Sequence, residues 1–184
     1  KAAGDVYTSE KRRLLDDARD VVADAVGARP GEVVFTSGGT EADNLAVAGV
    51  LDAAGGSVLC SAVEHPAVAR PAAARGGATV GVDTEGCLDL AALESALRLD
   101  PTVSLVSVMA VNNEVGTRQP VAVVAALVAA LAPGAVVHTD AVAAAAWTHL
   151  PDAVGAAHLV SLSAHKVGGP PGTGALVVRD GTPL

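Results

Sequence analysis

Aromatic residues are almost missing from this chain: one Phe, one Tyr and one Trp among 184 residues. Ala, Val and Leu must therefore build the core, and a 51% hydrophobic content is enough for one α/β domain of this length. The Ala-rich runs 122–132 and 141–146 follow from the same shortage and carry no functional weight. Cysteine is scarce too. Cys60 and Cys87 have neither CxxC nor Cys/His ligand spacing, which argues against a metal site and against a secreted disulfide framework. No apolar run reaches the roughly 18 residues that span a bilayer, and no signal peptide is visible. The expectation is a soluble, cytoplasmic protein with no membrane partner. A net charge of −8, from 12 basic and 20 acidic residues with no basic cluster, argues against nucleic acid as a ligand. The chain starts on Lys1 rather than Met and stops soon after an apolar run at 175–179, so both ends read as cut.

What is present alternates. An amphipathic helix from about Ser9 to Val26 ends at Gly27 and Pro30. Short apolar runs then follow at Val33–Phe35, Ser57–Cys60, Ala78–Val82, Val103–Met109, Ala135–His138, Ala157–Leu162 and Ala175–Arg179. Helical segments separate most of them, to about Ala53, from Pro66 to about Arg75, from Asp89 to Leu97, and to Leu131. Strands of four to seven residues between helices of ten to fifteen predict a three-layer α/β domain. Its sheet is mostly parallel and covered by helices on both faces.

Polar residues collect where strands end, the edge at which open α/β sheets bind ligands. Ser37-Gly-Gly-Thr40 lies between a strand and a helix start, where backbone N–H groups can meet an anion. It is equally an N-cap turn, with Ser37 or Thr40 capping. His65 of Glu64-His-Pro66 is either a surface or capping histidine, or an imidazole stacked on a planar cofactor. Asn112-Asn-Glu114 offers amides to a ligand or simple turn chemistry. Asp140 places a carboxylate deep in the crevice or caps the following segment. Lys166, in a loop rich in Gly and Pro, is one of only three lysines, the others being Lys1 and Lys11. A lysine is usually solvated. Together, an anion site, a stacking ring, an amide, a carboxylate and an amine are what pyridoxal 5′-phosphate (PLP) requires.

Five segments carry a resemblance. They are Phe35-Thr-Ser-Gly-Gly-Thr-Glu-Ala-Asp-Asn-Leu45, Glu64-His65, Val111-Asn-Asn-Glu-Val-Gly116, His138-Thr-Asp-Ala141, and Ser161-Leu-Ser-Ala-His-Lys166 with Gly172-Thr-Gly-Ala-Leu176. In this order they resemble the cysteine desulfurases of the NifS/IscS type, in the class-V aminotransferase group of fold-type I PLP enzymes. The resemblance implies that residues 1–184 are the PLP-binding large domain, without the family's N-terminal segment and C-terminal small domain. It implies that Lys166 forms the Schiff base and removes the substrate Cα proton, while Asp140 pairs with the ring nitrogen. His65 would stack on the ring, and Asn113 would contact the cofactor oxygen or the substrate carboxylate. Gly39, Thr40, Ser163 and His165 would hold the phosphate. The implied reaction converts L-cysteine to L-alanine and passes sulfur on as a persulfide. That sulfur would serve iron–sulfur cluster assembly or another transfer, through an acceptor or scaffold protein, in a homodimer.

Two departures qualify the resemblance. The family carries a glutamine three residues after the ring aspartate; here the position is Ala143. The family's sulfur-accepting cysteine and carboxylate-binding arginine belong to a C-terminal part that this chain does not contain, and neither Cys60 nor Cys87 has the catalytic context. Another class-V aminotransferase or lyase, or a remnant that folds without turning over, fits the same residues.

Overall fold

The computed structural model describes the backbone from Ala3 onward and the side chains from Ser9 onward. Seven strands form one sheet: β1 (Val33–Thr36), β2 (Ser57–Ser61), β3 (Ala78–Val80), β4 (Val103–Ser107), β5 (Val136–Asp140), β6 (Leu159–Ser163) and β7 (Gly174–Val178). Their order across the sheet is β1-β7-β6-β5-β4-β2-β3. The pairs from β3 to β6 are parallel; β7 runs antiparallel to both neighbours, β6 and β1. The sheet is therefore mostly parallel, with a single reversed strand. The alternation of strands and helices does not show which strand reverses, because the short connection from β6 to β7 is hidden in a Gly- and Pro-rich stretch.

Among the described residues six α-helices cover it: α1 (Ala3–Val26), α2 (Gly39–Ala54), α3 (Pro66–Ala74), α4 (Leu90–Leu99), α5 (Val121–Leu131) and α6 (Leu150–Val154). The short α6 had no sequence signal beyond an apolar trace broken by Pro151. α4 begins where Asp89 accepts hydrogen bonds from the N–H groups of Ala91 and Ala92, both at 3.0 Å.

Alternation along the strands sorts the apolar residues into two cores. Leu105, Val136, Leu159 and Leu176 pack under α2 and α3 with Val47, Val50 and Val68. Their neighbours Val106, Val137, Val160 and Val177 face the other side, with Val26 of α1, Leu93 of α4, Val124 of α5 and Val154 of α6. Both cores are aliphatic. Truncating a fully buried leucine such as Leu105 or Leu159 to alanine costs about 2–5 kcal/mol. The same alternation aims Ser107, His138, Asp140, Ser161 and Ser163 at the α2 face once the strands reach their C-terminal ends.

Candidate cofactor site

A cavity of about 380 Å³ opens at the C-terminal edge of the sheet. Gly39, Thr40, His65, Asn113, Asp140, Ser163, His165 and Lys166 all line it. Asp140, Ser163 and Gly39 form a buried floor, whereas Thr40, Asn113, His165 and Lys166 are exposed around the rim.

The start of α2 forms one wall. Its N-cap is Gly38, with no side-chain cap, so neither Ser37 nor Thr40 does the capping. Glu41 instead turns back and accepts from the Ser37 N–H at 2.6 Å. Gly38 to Glu41 all line the cavity, and a helix start without a side-chain cap favours an anion there. Close packing explains the glycines. A Cβ on Gly39 would stand 2.7 Å from Val142 Cγ2, and one on Gly174 would stand 2.6 Å from the Gly38 Cα. Ser163 Oγ and His165 Nδ1 lie 2.8 Å apart beside this wall.

His65 caps α3: its Nδ1 accepts from the Ala67 N–H at 3.1 Å. In the neutral ring this leaves the proton on Nε2. The two asparagines divide their roles. Asn112 makes the turn, its Oδ1 accepting from the N–H groups of Glu114 (2.9 Å) and Val115 (3.0 Å). Asn113 lines the cavity instead.

Asp140 accepts from the Val142 N–H at 2.9 Å. Burial pushes its carboxyl above the usual range, against that bond and against the opposing pull of the nearby His65 and Lys166 side chains. Among the described residues it makes no ion pair. Lys166 lies in a 3₁₀ turn (Ala164–Val167), a more ordered setting than the loop expected for it. Ala143 contributes only a methyl group between this cavity and a neighbouring groove that includes the 86%-exposed Trp147.

Three residues stand inside the quoted motifs without a role there, and the structure buries all of them: Asp43, Glu64 and His138. Asp43 is 1% exposed, and burial with the nearby Asp140 charge pushes it up to about 8. The signal was available. Asp43 interrupts the buried stripe Gly39, Ala42, Ala46, Val47 and Val50 of α2, where an acid has no business unless it is used.

A mostly parallel α/β sheet that gathers a lysine, a buried carboxylate and an uncapped helix start at the C-terminal edge of its strands is an α/β domain with a ligand crevice. The chain belongs to the aminotransferase class-V family, whose profile matches residues 4–182. It is 39% identical over 191 residues to the IscS-like cysteine desulfurase of Mycobacterium tuberculosis, an alignment covering 96% of this chain and 48% of that protein. It is 42% identical to the cysteine desulfurase IscS of Proteus mirabilis, covering 92% of this chain and 43% of that protein. A NifS-like protein superposes with a TM-score of 0.89 at 33% identity, over 96% of this chain and 50% of the other. The structure of SspA in complex with cysteine superposes with a TM-score of 0.83 at 31% identity, over 95% and 52%. The chain thus spans about half the length of the relatives it matches. No helix among the described residues is long and apolar enough to cross a membrane.

Proposed function

We propose that the chain is the cofactor-binding large domain of a PLP-dependent cysteine desulfurase. The observation that carries this reading is the meeting in one cavity of Lys166, a buried Asp140 without an ion-pair partner, His65 and the uncapped start of α2. It occurs in a chain 39% identical to a protein of that activity.

The cofactor supplies an electron sink for negative charge at the substrate Cα. Asp140 would pair with the ring nitrogen and favour its protonated form, since a buried carboxylate requires a cation. The first N–H groups of α2, at Gly39 and Thr40, would hold the phosphate together with Ser163 and His165. His65, with Nδ1 committed to Ala67, would lie against the ring and offer Nε2 for proton movement. Lys166 would supply the amine that holds the cofactor and the base that takes a proton from the substrate Cα. Asn113 orients a cofactor oxygen or the substrate carboxylate. The substrate in this reading is L-cysteine, the product L-alanine, and the sulfur leaves as a persulfide to an acceptor protein. A homodimer in the cytoplasm, serving iron–sulfur cluster assembly or another sulfur transfer, belongs to the same reading.

Neither cysteine of this chain suits sulfur acceptance. The Cys60 thiol, in β2, is pushed up to about 11 by burial and by Glu64, and Cys87 donates to the Arg118 carbonyl at 3.7 Å. Neither lines the cavity. This favours a second reading, in which residues 1–184 hold the cofactor without turning over cysteine. Titration with PLP tests the first step. A visible absorption band that Lys166→Ala removes is expected, and no band in the unaltered chain refutes both readings. Alanine formed on adding L-cysteine supports the desulfurase; a band without alanine leaves the cofactor-binding domain alone.

A further inference from the structure

Behind Asp140 lies a buried polar cluster that the functional reading does not use. His138, two residues earlier on β5 and on the same strand face, is wholly buried. Its Nδ1 lies 2.8 Å from Ser107 Oγ, and its Nε2 lies 2.9 Å from Ser161 Oγ. The Asp43 Oδ1 stands 3.6 Å from the same Nε2 and has no hydrogen-bond partner. Glu64 accepts the Met109 N–H at 2.6 Å with Oε1, while its Oε2 has no partner. Three carboxyls therefore share one buried region, and no arginine or lysine pairs with any of them among the described residues.

Three buried like charges without a cation cannot all persist. Other titratable groups decide which carboxyl ionises. Asp43 faces His138 and Asp140 of β5 and Glu64 beyond β2, with the Cys60 thiol on β2 in the same core; α3, which packs on α2, carries only the exposed Arg70, with His65 at its N-cap, and β1, β4, β6 and β7 bring no titratable group to α2. Burial holds His138 neutral, its pKa lowered to about 3, so it gives Asp43 no positive charge. Asp140 alone feels Lys166 and His65.

We propose that Asp43 is a proton-holding residue: it remains a neutral carboxylic acid at the end of the Ser107–His138–Ser161 chain and so leaves Asp140 the ionised carboxylate of the crevice. The consequence for cofactor binding rests on the reading above, in which Asp140 meets the ring nitrogen; the location of the proton does not.

The direction with pH follows from linkage. Asp43 is held above its unfolded value of 3.8, so the native chain keeps a proton that the unfolded chain releases. The stability this gives is complete below about 3.8 and is lost as pH rises toward about 8. His138 works the other way, and its contribution is lost only as pH falls from 6.5 toward about 3. Between pH 6.5 and 8 the Asp43 slope is therefore free of the histidine.

Infrared spectra of the cofactor-free chain in a Glu64→Gln background decide the matter. At neutral pH we expect the carbonyl stretch of a buried carboxylic acid, absent after Asp43→Asn and retained after Asp140→Asn. The reverse pattern, or no such band, overturns the proposal. The thermal midpoint of the unaltered chain should fall across pH 6.5 to 8, and the fall should be shallower in Asp43→Asn. An unchanged slope overturns it too. If Asp43→Asn does not fold, the band of the parent must still vanish as pH passes about 8, and a band indifferent to pH is the contrary result. Asp43→Asn should bind PLP with affinity close to that of the parent, and a loss beyond about tenfold would show that the group acts as a charge. Because the spectra and the melting need no cofactor, a chain that shows the band but fails to take PLP sinks the functional reading and leaves this one intact.

Discussion

Glu32 and Glu64 are both glutamates at nearly the same exposure, 9% and 8%, yet they sit at opposite ends of the sheet with their carboxyls shifted in opposite directions. Glu32 precedes β1, just beneath the surface. The Arg29 N–H donates to it at 2.8 Å, the Arg29 guanidinium at 2.8 Å and 3.3 Å, and the Asp180 N–H at 3.1 Å. The Arg179 guanidinium lies 3.5 Å away. The Arg29 backbone and side-chain donors hold its carboxyl down at about 2. Glu64 follows the C-terminal end of β2, deeper, with one backbone donor and two carboxyls for neighbours, and burial pushes it well above the ordinary range. Cover from solvent does not set the charge of an acid; its donors do. One end of the sheet satisfies its acids and gains stability. The other leaves them short of partners, which is where a ligand can supply what is missing.

The sharpest break in that comparison is at Asp140. If it lacks a cation until the cofactor arrives, Asp140→Ala should weaken PLP binding by about 2–3 kcal/mol, roughly 30- to 150-fold, as expected for a lost charge-assisted bond. Asp152→Ala removes an acid already paired with His149 at 3.1 Å and exposed on the surface, so affinity should not change. Fluorescence or absorption titration with PLP measures both, and equal losses would mean that Asp140 is not the ring partner.

Glu32 provides the opposite test. Glu32→Gln keeps the shape but loses the charge that Arg29 and Arg179 share, so unfolding by urea at neutral pH should show a loss of about 2 kcal/mol. Its pH profile has the reverse sign to that of Asp43. The Glu32 carboxyl lies below its unfolded value of 4.5, so its stabilisation is present above 4.5 and is lost as pH falls toward about 2. The variant should lack that acid-limb loss.

These acids also mark how far the chain could be read without coordinates. Strand and helix order was legible because apolar runs such as Val103–Ser107 and Val121–Leu131 have lengths and flanks that allow one assignment. The rim and floor of the cavity were legible because most of their residues stand at or just after strand ends, where open α/β sheets gather ligand-binding groups. The antiparallel turn into β7 and the short α6 were not, since neither has a period long enough to register. His138 was visible only as part of a motif. Its role depends on Ser107 and Ser161, which lie 31 and 23 residues away and meet it only across parallel strands. Asp43 could have been found as an acid on a buried stripe, but its partners could not.

The smallest expected effect bears most directly on the comparison. If Glu64 is already neutral, replacing it with glutamine changes little: the amide oxygen still accepts from Met109, and no charge is removed. Glu64→Gln should therefore lie within about 1 kcal/mol of the parent in urea unfolding at neutral pH. The difference should depend on pH with a fixed sign. Glu64 is held above its unfolded value of 4.5, so the parent gains its full contribution in acid and loses it as pH rises. The glutamine variant cannot titrate there, and it should become the more stable of the two in alkaline solution. A large loss at neutral pH, comparable to that of Glu32→Gln, would mean that Glu64 is ionised in the folded chain. Its orphaned oxygen would then have a partner, and the two ends of the sheet would no longer differ in kind.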